Sequence, residues 1–201
     1  MTVATVSAPA PTRNSLAGTA ILVRFNLRRD RIALPAWVLG IAAFMLSGPY
    51  LYPDLYPTAQ DRANQAAVVG GNPAMKALTG PGFGIEDYTY GAMLANEYLG
   101  FVLILVALMT TFTVVRHTRV EEETGRFELV RASAVGRYAH LAAALLTATL
   151  ASLVLGLIVA VGLGTSGVES IDWPGSLLFG ATFTVTGLVF AGVAAVTAQI
   201  S

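Results

Sequence analysis

The chain has 201 residues, of which 55% are hydrophobic and 12% are charged. Soluble domains average about 25% charged residues, so this composition indicates a membrane protein. The formal net charge of zero argues against a globally basic nucleic-acid-binding protein, and the absence of cysteine excludes disulfides and thiolate metal sites.

The N-terminal region divides into a tail and a helix. Residues 1–13 are small, polar and proline-containing, and they lack the basic start and apolar core of a signal peptide, so we expect a disordered cytoplasmic tail. Residues 14–31 place apolar and basic side chains on different helical faces, which predicts an amphipathic helix at the membrane interface. This helix either anchors the chain or packs against a cytoplasmic partner. Its basic residues are Arg24, Arg28, Arg29 and Arg31.

Four apolar stretches are long enough to cross a bilayer, which takes about 20 helical residues. They cover residues 32–52, 91–115, 139–163 and 175–200 within a permease region of 32–201. Unpaired backbone groups are too costly in lipid for anything except helices or closed barrels, and these stretches are too long for barrel strands. The predicted fold class is therefore an all-α integral membrane protein.

The distribution of basic residues predicts the orientation of the chain. Ten of the twelve lysines and arginines lie before the first span or between the second and third. Basic residues in short loops favour the cytoplasmic side, so we place the N-terminus and the loop at 116–138 in the cytoplasm of a plasma-membrane protein.

The segment at 53–90 is predicted to lie outside the membrane on the opposite side. It mixes a short helical pattern with glycine and proline turns, and either a packed cap or a mobile loop fits it. Glu97 is the acidic residue inside a predicted span, which makes it a candidate for the transport pathway. Its position near the end of the span equally fits a hydrated interfacial carboxylate.

The loop between the second and third spans is dense in charge of both signs. Residues 116–137 contain five arginines and four glutamates. A loop that only fixes topology would not need the glutamates, because acidic residues contribute little to orientation. A catalytic carboxylate cluster is disfavoured, since three adjacent glutamates spread around a helix. On the residues alone, two interpretations stay open: a solvated loop that fixes topology, and a docking helix in which Phe127 and Val130 enter a groove on a cytoplasmic partner.

The same loop carries a family resemblance. An R-x-E-E-E-x-G-R-x-E-L string runs from Arg119 to Leu129, and the small-residue stretch ASAVGR follows at 132–137. This arrangement resembles the first cytoplasmic loop of type-2 ABC exporter permeases, in particular the actinobacterial branch of polyketide-antibiotic exporters. The order of amphipathic helix, spans, outer segment and charged loop is also similar, over about residues 14–201.

The resemblance implies a coupling helix that contacts a separate ABC ATPase subunit, with the N-terminal helix as a connector beside it. ATP would be bound by that partner, because the chain contains no GxxxxGK[ST] phosphate loop, and no cofactor is expected on the chain itself. Such permeases have six spans per half, so we expect an N-terminal fragment that works with a second permease half or copy in the bilayer. The ATPase-contacting candidates are Glu121, Glu122, Glu123, Gly125, Arg126, Phe127 and Glu128.

Two other classes of function remain open on the residues alone. One is a four-span scaffold or sensor subunit that transports nothing. The other is a membrane-embedded enzyme, which would require convergent His, Asp or Ser side chains within the spans, and the sequence shows no such set.

Overall fold

The computed structural model describes residues 15–123 and 136–200. The first helix, α1, covers Thr19–Arg29, and a sharp turn at residues 30–32 leads into α2, Ala33–Leu55. Arginines in the last turn of α1 complement the negative end of its helix dipole. The turn places α1 at one end of the bundle, which is called the α1 end below.

The segment between the first two long helices folds into short helices at the opposite end of the bundle. They are α3, Ala59–Gly71, α4, Pro73–Thr79, and a 3₁₀ turn, Ile85–Asp87. Thr58 and Asp61 form a reciprocal capping box at the start of α3. Ala66 and Val69 are buried in the same core cluster as Tyr88, so α3 packs on the bundle. This end of the bundle is called the α3 end.

The second long helix is interrupted by a wider turn. It begins as α5, Tyr90–Met93, continues through a π-helical turn, Leu94–Tyr98, and becomes α6, Leu99–Glu123. π-Helical turns are rare and occur frequently at functional sites. Here the turn contains Glu97.

The last two helices complete the bundle. They are α7, Ala139–Gly164, and α8, Trp173–Ile200. Among the described residues, four segments are long and apolar enough to cross a membrane: Ala33–Leu55, Tyr90–Thr118, Ala139–Gly164 and Trp173–Gln199. The predicted all-α fold class with four candidate spans is confirmed. Met45, Val102, Leu155, Val159 and Phe183 are fully or almost fully buried where these helices meet.

Helices α7 and α8 approach each other through glycine. A Cβ atom built on Gly156 would lie 2.5 Å from both the Gly180 carbonyl oxygen and Thr184 Oγ1. Small residues permit this close approach, which supplies the van der Waals contact that holds helices together in lipid.

We therefore expect Gly156→Ala to destabilise the protein, because its methyl group would meet the α8 backbone. Overpacking of this kind costs about 1–3 kcal/mol, and each kcal/mol corresponds to about 2–4 °C in melting temperature at this chain length. Gly192→Ala is the matched control, since nothing lies within 4 Å of a Cβ at that position. Equal melting temperatures for the two variants in thermal unfolding would contradict the proposed contact between α7 and α8.

Candidate functional site

A buried acid joins α1 to the end of α6. Asp30 follows α1 directly and is 2% exposed. Its Oδ2 lies 2.6 Å from Nε2 of His117, which is also buried, and its Oδ1 lies 3.4 Å from an Arg116 guanidinium nitrogen. Buried hydrogen-bonded groups are sensitive to the loss of one partner, because the other group cannot turn to water instead. The contact therefore fixes the corner between α1 and α2 against the part of α6 that leads into the charged loop.

A second set of contacts joins α1 and the residues before it to the start of α7. The backbone N–H groups of Gly136 and Tyr138 donate to the carbonyl oxygens of Ala17 and Ser15, at 2.9 and 3.1 Å. Within the bundle, the Asn26 amide donates to Thr147 Oγ1 at 3.4 Å, and both residues are buried. The N-terminal segment is thus bound to both flanks of the charged loop.

The outer face of α1 is both apolar and basic. Ile21 and Phe25 are 76% and 53% exposed, while Arg24, Arg28 and Arg31 are exposed and Arg29 is half-buried. Apolar side chains beside arginines suit the boundary between lipid head groups and acyl chains. The interfacial role of this helix stays a prediction.

The predicted ATPase-contacting residues lie at the edge of the described chain. Glu121, Glu122 and Glu123 form the last turn of α6. Gly125, Arg126, Phe127 and Glu128 lie outside the described residues. Their role as a coupling helix stays a prediction, and the described structure gives the attachment of the loop on both sides.

At the α3 end, Glu97 accepts hydrogen bonds from three separate elements. The hydroxyl groups of Tyr52 in α2 and Tyr88 after the 3₁₀ turn lie 3.0 and 3.1 Å from its carboxylate oxygens. The amide of Gln65 in α3 lies 3.2 Å away. Burial first, and then the Glu97 charge, raise the pKa of Tyr88 above its ordinary value, so this phenol remains a neutral donor at physiological pH.

The neighbouring residue of the π-helical turn holds the same segment through its amide. Asn96 Oδ1 accepts from the Phe83 backbone N–H at 2.9 Å, and Asn96 Nδ2 donates to the Phe83 carbonyl oxygen at 2.7 Å. Asn96 is itself buried. The π-helical turn therefore binds the predicted outer segment through two adjacent side chains, and the role of this segment as a cap stays a prediction.

Comparison with known proteins identifies the family. Residues 22–200 match the model of the family described as "Multidrug efflux system permease Rv1217c, C-terminal domain". The chain belongs to this family. The multidrug efflux system permease protein Rv1217c of Mycobacterium tuberculosis (strain ATCC 25618 / H37Rv) is 41% identical over 195 residues, which is 96% of this chain and 34% of the relative. The chain thus spans about a third of the relative's length.

The family match supports the resemblance to exporter permeases that the charged loop indicated. Together with the four long apolar helices, it makes the chain a multi-pass membrane protein of the efflux permease family. The matched range, residues 22–200, includes Asp30, the charged loop and Glu97. Within residues 15–123 and 136–200, no three His, Cys, Asp or Glu side chains converge as metal ligands would.

Sequence reasoning missed the Asp30–His117 contact. The two residues are far apart in the chain, and no helical or strand period relates them. One signal was present: Asp30 is the single acidic residue in the arginine-rich stretch at 24–31. An acid at that position adds nothing to positive-inside orientation, so it pointed to a specific partner.

Proposed function

We propose that this chain forms part of the membrane-spanning permease subunit of an ATP-driven ABC exporter, which moves a hydrophobic or amphipathic, antibiotic- or drug-like compound out of the cell. ATP is hydrolysed on a separate ATPase subunit, and a second permease half or copy completes the pathway. The N-terminus and the charged loop face the cytoplasm of the plasma membrane. The family membership and the name of the relative support this proposal.

The observation that carries the proposal is the attachment of the N-terminal segment to both flanks of the charged loop. Asp30 contacts the residue before the loop, and Ser15 and Ala17 bind the residues after it. A force on the loop is therefore transmitted to α6, α7 and α1 together. A loop that only fixed topology would not need these contacts.

The mechanism follows from this connection. Closure of the ATPase dimer pushes the charged loop, and α6 and α7 tilt as continuous helices. Nucleotide shifts the permease between inward and outward access only because the ATPase binds the two conformations with different affinity.

A groove between α6 and α8 fits the proposed cargo. Its volume is about 480 Å³, which lies within the range of small-molecule pockets of about 300–1,000 Å³. Apolar side chains dominate its lining, with two threonines among them. The lining includes Ile104, Leu108, Thr111, Thr186 and Phe190.

Transport in inside-out vesicles tests the proposal. Vesicles that hold the full-length permease and its ATPase subunit should accumulate a fluorescent amphipathic dye with ATP and should not do so with a non-hydrolysable analogue. Vesicles that lack the ATPase subunit are the control. Normal assembly of the complex without any ATP-dependent accumulation would favour a scaffold or sensor subunit instead.

A further inference from the structure

The contacts of the N-terminal segment fix the depth of α1 along α7. Before α1 begins, the Ser15 carbonyl oxygen accepts a hydrogen bond from the backbone N–H of Tyr138, at the start of α7. Further along, the buried Asn26 amide donates to the hydroxyl of Thr147, which lies in the third turn of α7. Two turns of helix cover about 11 Å. α1 therefore runs beside the first turns of a candidate membrane span.

This depth brings exposed arginines level with apolar side chains of the span. Arg24 and Arg28 lie within one turn of Asn26 on either side, and both side chains are exposed. Leu146, which precedes Thr147 in α7, is 47% exposed, as expected of a side chain that faces lipid. Arginine side chains at such a depth extend their guanidinium groups towards the head groups. A charge at this boundary is costly unless an opposite charge lies beside it.

The protein supplies no such counter-charge among the side chains that the structure describes. Arg24, Arg28 and Arg31 have no carboxylate oxygen within 4.0 Å there. Asp30, the acid in the same stretch, is buried in its contact with the end of α6. Arg24 and Arg28 are one turn apart on the same face of α1, and like charges at this spacing repel each other. An anion from outside the chain is therefore favoured beside them.

Apolar side chains lie beside the same arginines. Ile21 and Phe25 are 76% and 53% exposed. Ile21 precedes Arg24 by three positions, and Phe25 precedes Arg28 by three, so each apolar side chain neighbours an arginine on the helix surface. A ligand that fits this surface carries a net negative charge and long apolar chains, as an anionic phospholipid does. A zwitterionic lipid brings its own cation next to the phosphate, and a free phosphate ion has no apolar part.

We propose that Arg24, Arg28 and Arg31, with Ile21 and Phe25, form a binding site for an anionic phospholipid in the bilayer leaflet at the α1 end. The arginines bind the phosphate group, and the two apolar side chains contact the acyl chains. Because the N-terminal segment is attached to both flanks of the charged loop, the bound lipid holds that attachment at a set depth. The site goes beyond the proposed export function, since lipid binding requires neither ATP nor cargo.

Photo-crosslinking with a lipid probe tests the site. The full-length permease is placed in phosphatidylcholine nanodiscs that contain a trace of diazirine-labelled phosphatidylglycerol, and crosslinks to residues 15–32 are quantified by peptide mass spectrometry. Phosphatidylcholine with the same diazirine is the neutral comparator. Each basic residue near an anionic lipid contributes about fivefold in affinity, so we expect the anionic probe to label this segment about tenfold or more above the neutral probe.

Paired substitutions locate the preference on α1. Arg24→Gln combined with Arg28→Gln should lower it about tenfold, because two charges are removed. Arg24→Lys combined with Arg28→Lys keeps both charges and should retain most of the preference. Arg137→Gln is the matched control, since it removes an exposed arginine near the start of α7 at the same end of the bundle. This control should label like the unaltered protein.

Equal labelling of the unaltered protein by the two probes would overturn the site. A preference that survives the paired glutamine substitutions would do the same. Equal losses in the glutamine and lysine variants would assign the arginines a role in packing and not in binding the lipid charge, which also contradicts the proposal. Loss of the preference in excess inorganic phosphate would show that the site takes a free phosphate ion, and the lipid site would then be wrong.

Discussion

Asp30→Ala is expected to abolish ATP-driven transport and to lower the stability of the permease. The change leaves His117 buried beside an empty position where a carboxylate stood 2.6 Å away. Removing one partner of a buried hydrogen bond costs about 1–3 kcal/mol. The direct link between α1 and the end of α6 is then lost, and the charged loop remains connected to the N-terminal segment only through the contacts on its α7 side. Thermal unfolding and vesicle transport measure the two effects separately.

Three further substitutions show whether the effect arises from this contact. Asp30→Asn retains the size and a hydrogen-bonding group, so its loss of transport should be smaller. Asp54→Asn is the control, since Asp54 is an exposed acid at the other end of α2. In a double-mutant cycle, His117→Ala should add little once Asp30 is already alanine, because residues in contact are not additive. Additive effects of Asp30→Ala and His117→Ala would contradict the coupling between these two residues.

Phe127→Ala combined with Glu122→Lys is expected to separate ATP hydrolysis from transport. The first change removes the apolar group predicted to enter a groove on the ATPase, and the second reverses a charge predicted to set its register. Buried aromatic anchors and complementary charges commonly contribute 2 kcal/mol or more to an interface, on the order of thirtyfold in affinity. We expect efflux to fall at least tenfold while membrane insertion stays intact. Dye efflux and the ATPase activity of the complex provide the readout, and Glu123→Lys in place of Glu122→Lys should give the same result.

The chain offers a matched control at the other end of the bundle. Phe83 is 68% exposed and precedes an exposed acid, Glu86, by three positions. Phe83→Ala with Glu86→Lys makes the same chemical change far from the charged loop, and transport should remain near normal. Normal efflux and normal ATPase stimulation in the Phe127 variant would show that the loop is not the coupling element.

The fold class followed from the sequence because the bilayer leaves few alternatives. An apolar run of about 20 residues has to form a helix in lipid, whatever its neighbours are. The helices Ala139–Gly164 and Trp173–Ile200 therefore lie where their apolar runs predicted them. The density of charge in the loop predicts that it lies outside the membrane, since charge is costly inside it, and its contact with a cytoplasmic partner stays a prediction.

The polar contacts could not be predicted, because they depend on how the helices pack. Asp30 meets His117 across 87 positions of sequence, and Asn26 meets Thr147 across 121. Glu97 was identified as a candidate from its place in a span. Its three donors come together only because α3 folds back onto the bundle. For the contact between α7 and α8, the sequence likewise indicated only that small residues were present. It could not indicate which residue each glycine packs against.

One crosslinking experiment tests the central claim that the charged loop is the contact through which an ATPase drives these helices. These 201 residues contain no cysteine. In a full-length permease in which any other cysteines are replaced by serine, a single cysteine in place of Phe127 carries one photo-crosslinker. We predict a crosslink to the ATPase subunit whose yield changes with ATP, and no labelling of this cysteine by an impermeant reagent added outside intact cells. Labelling from outside, or crosslinks that never include the ATPase subunit, would contradict it.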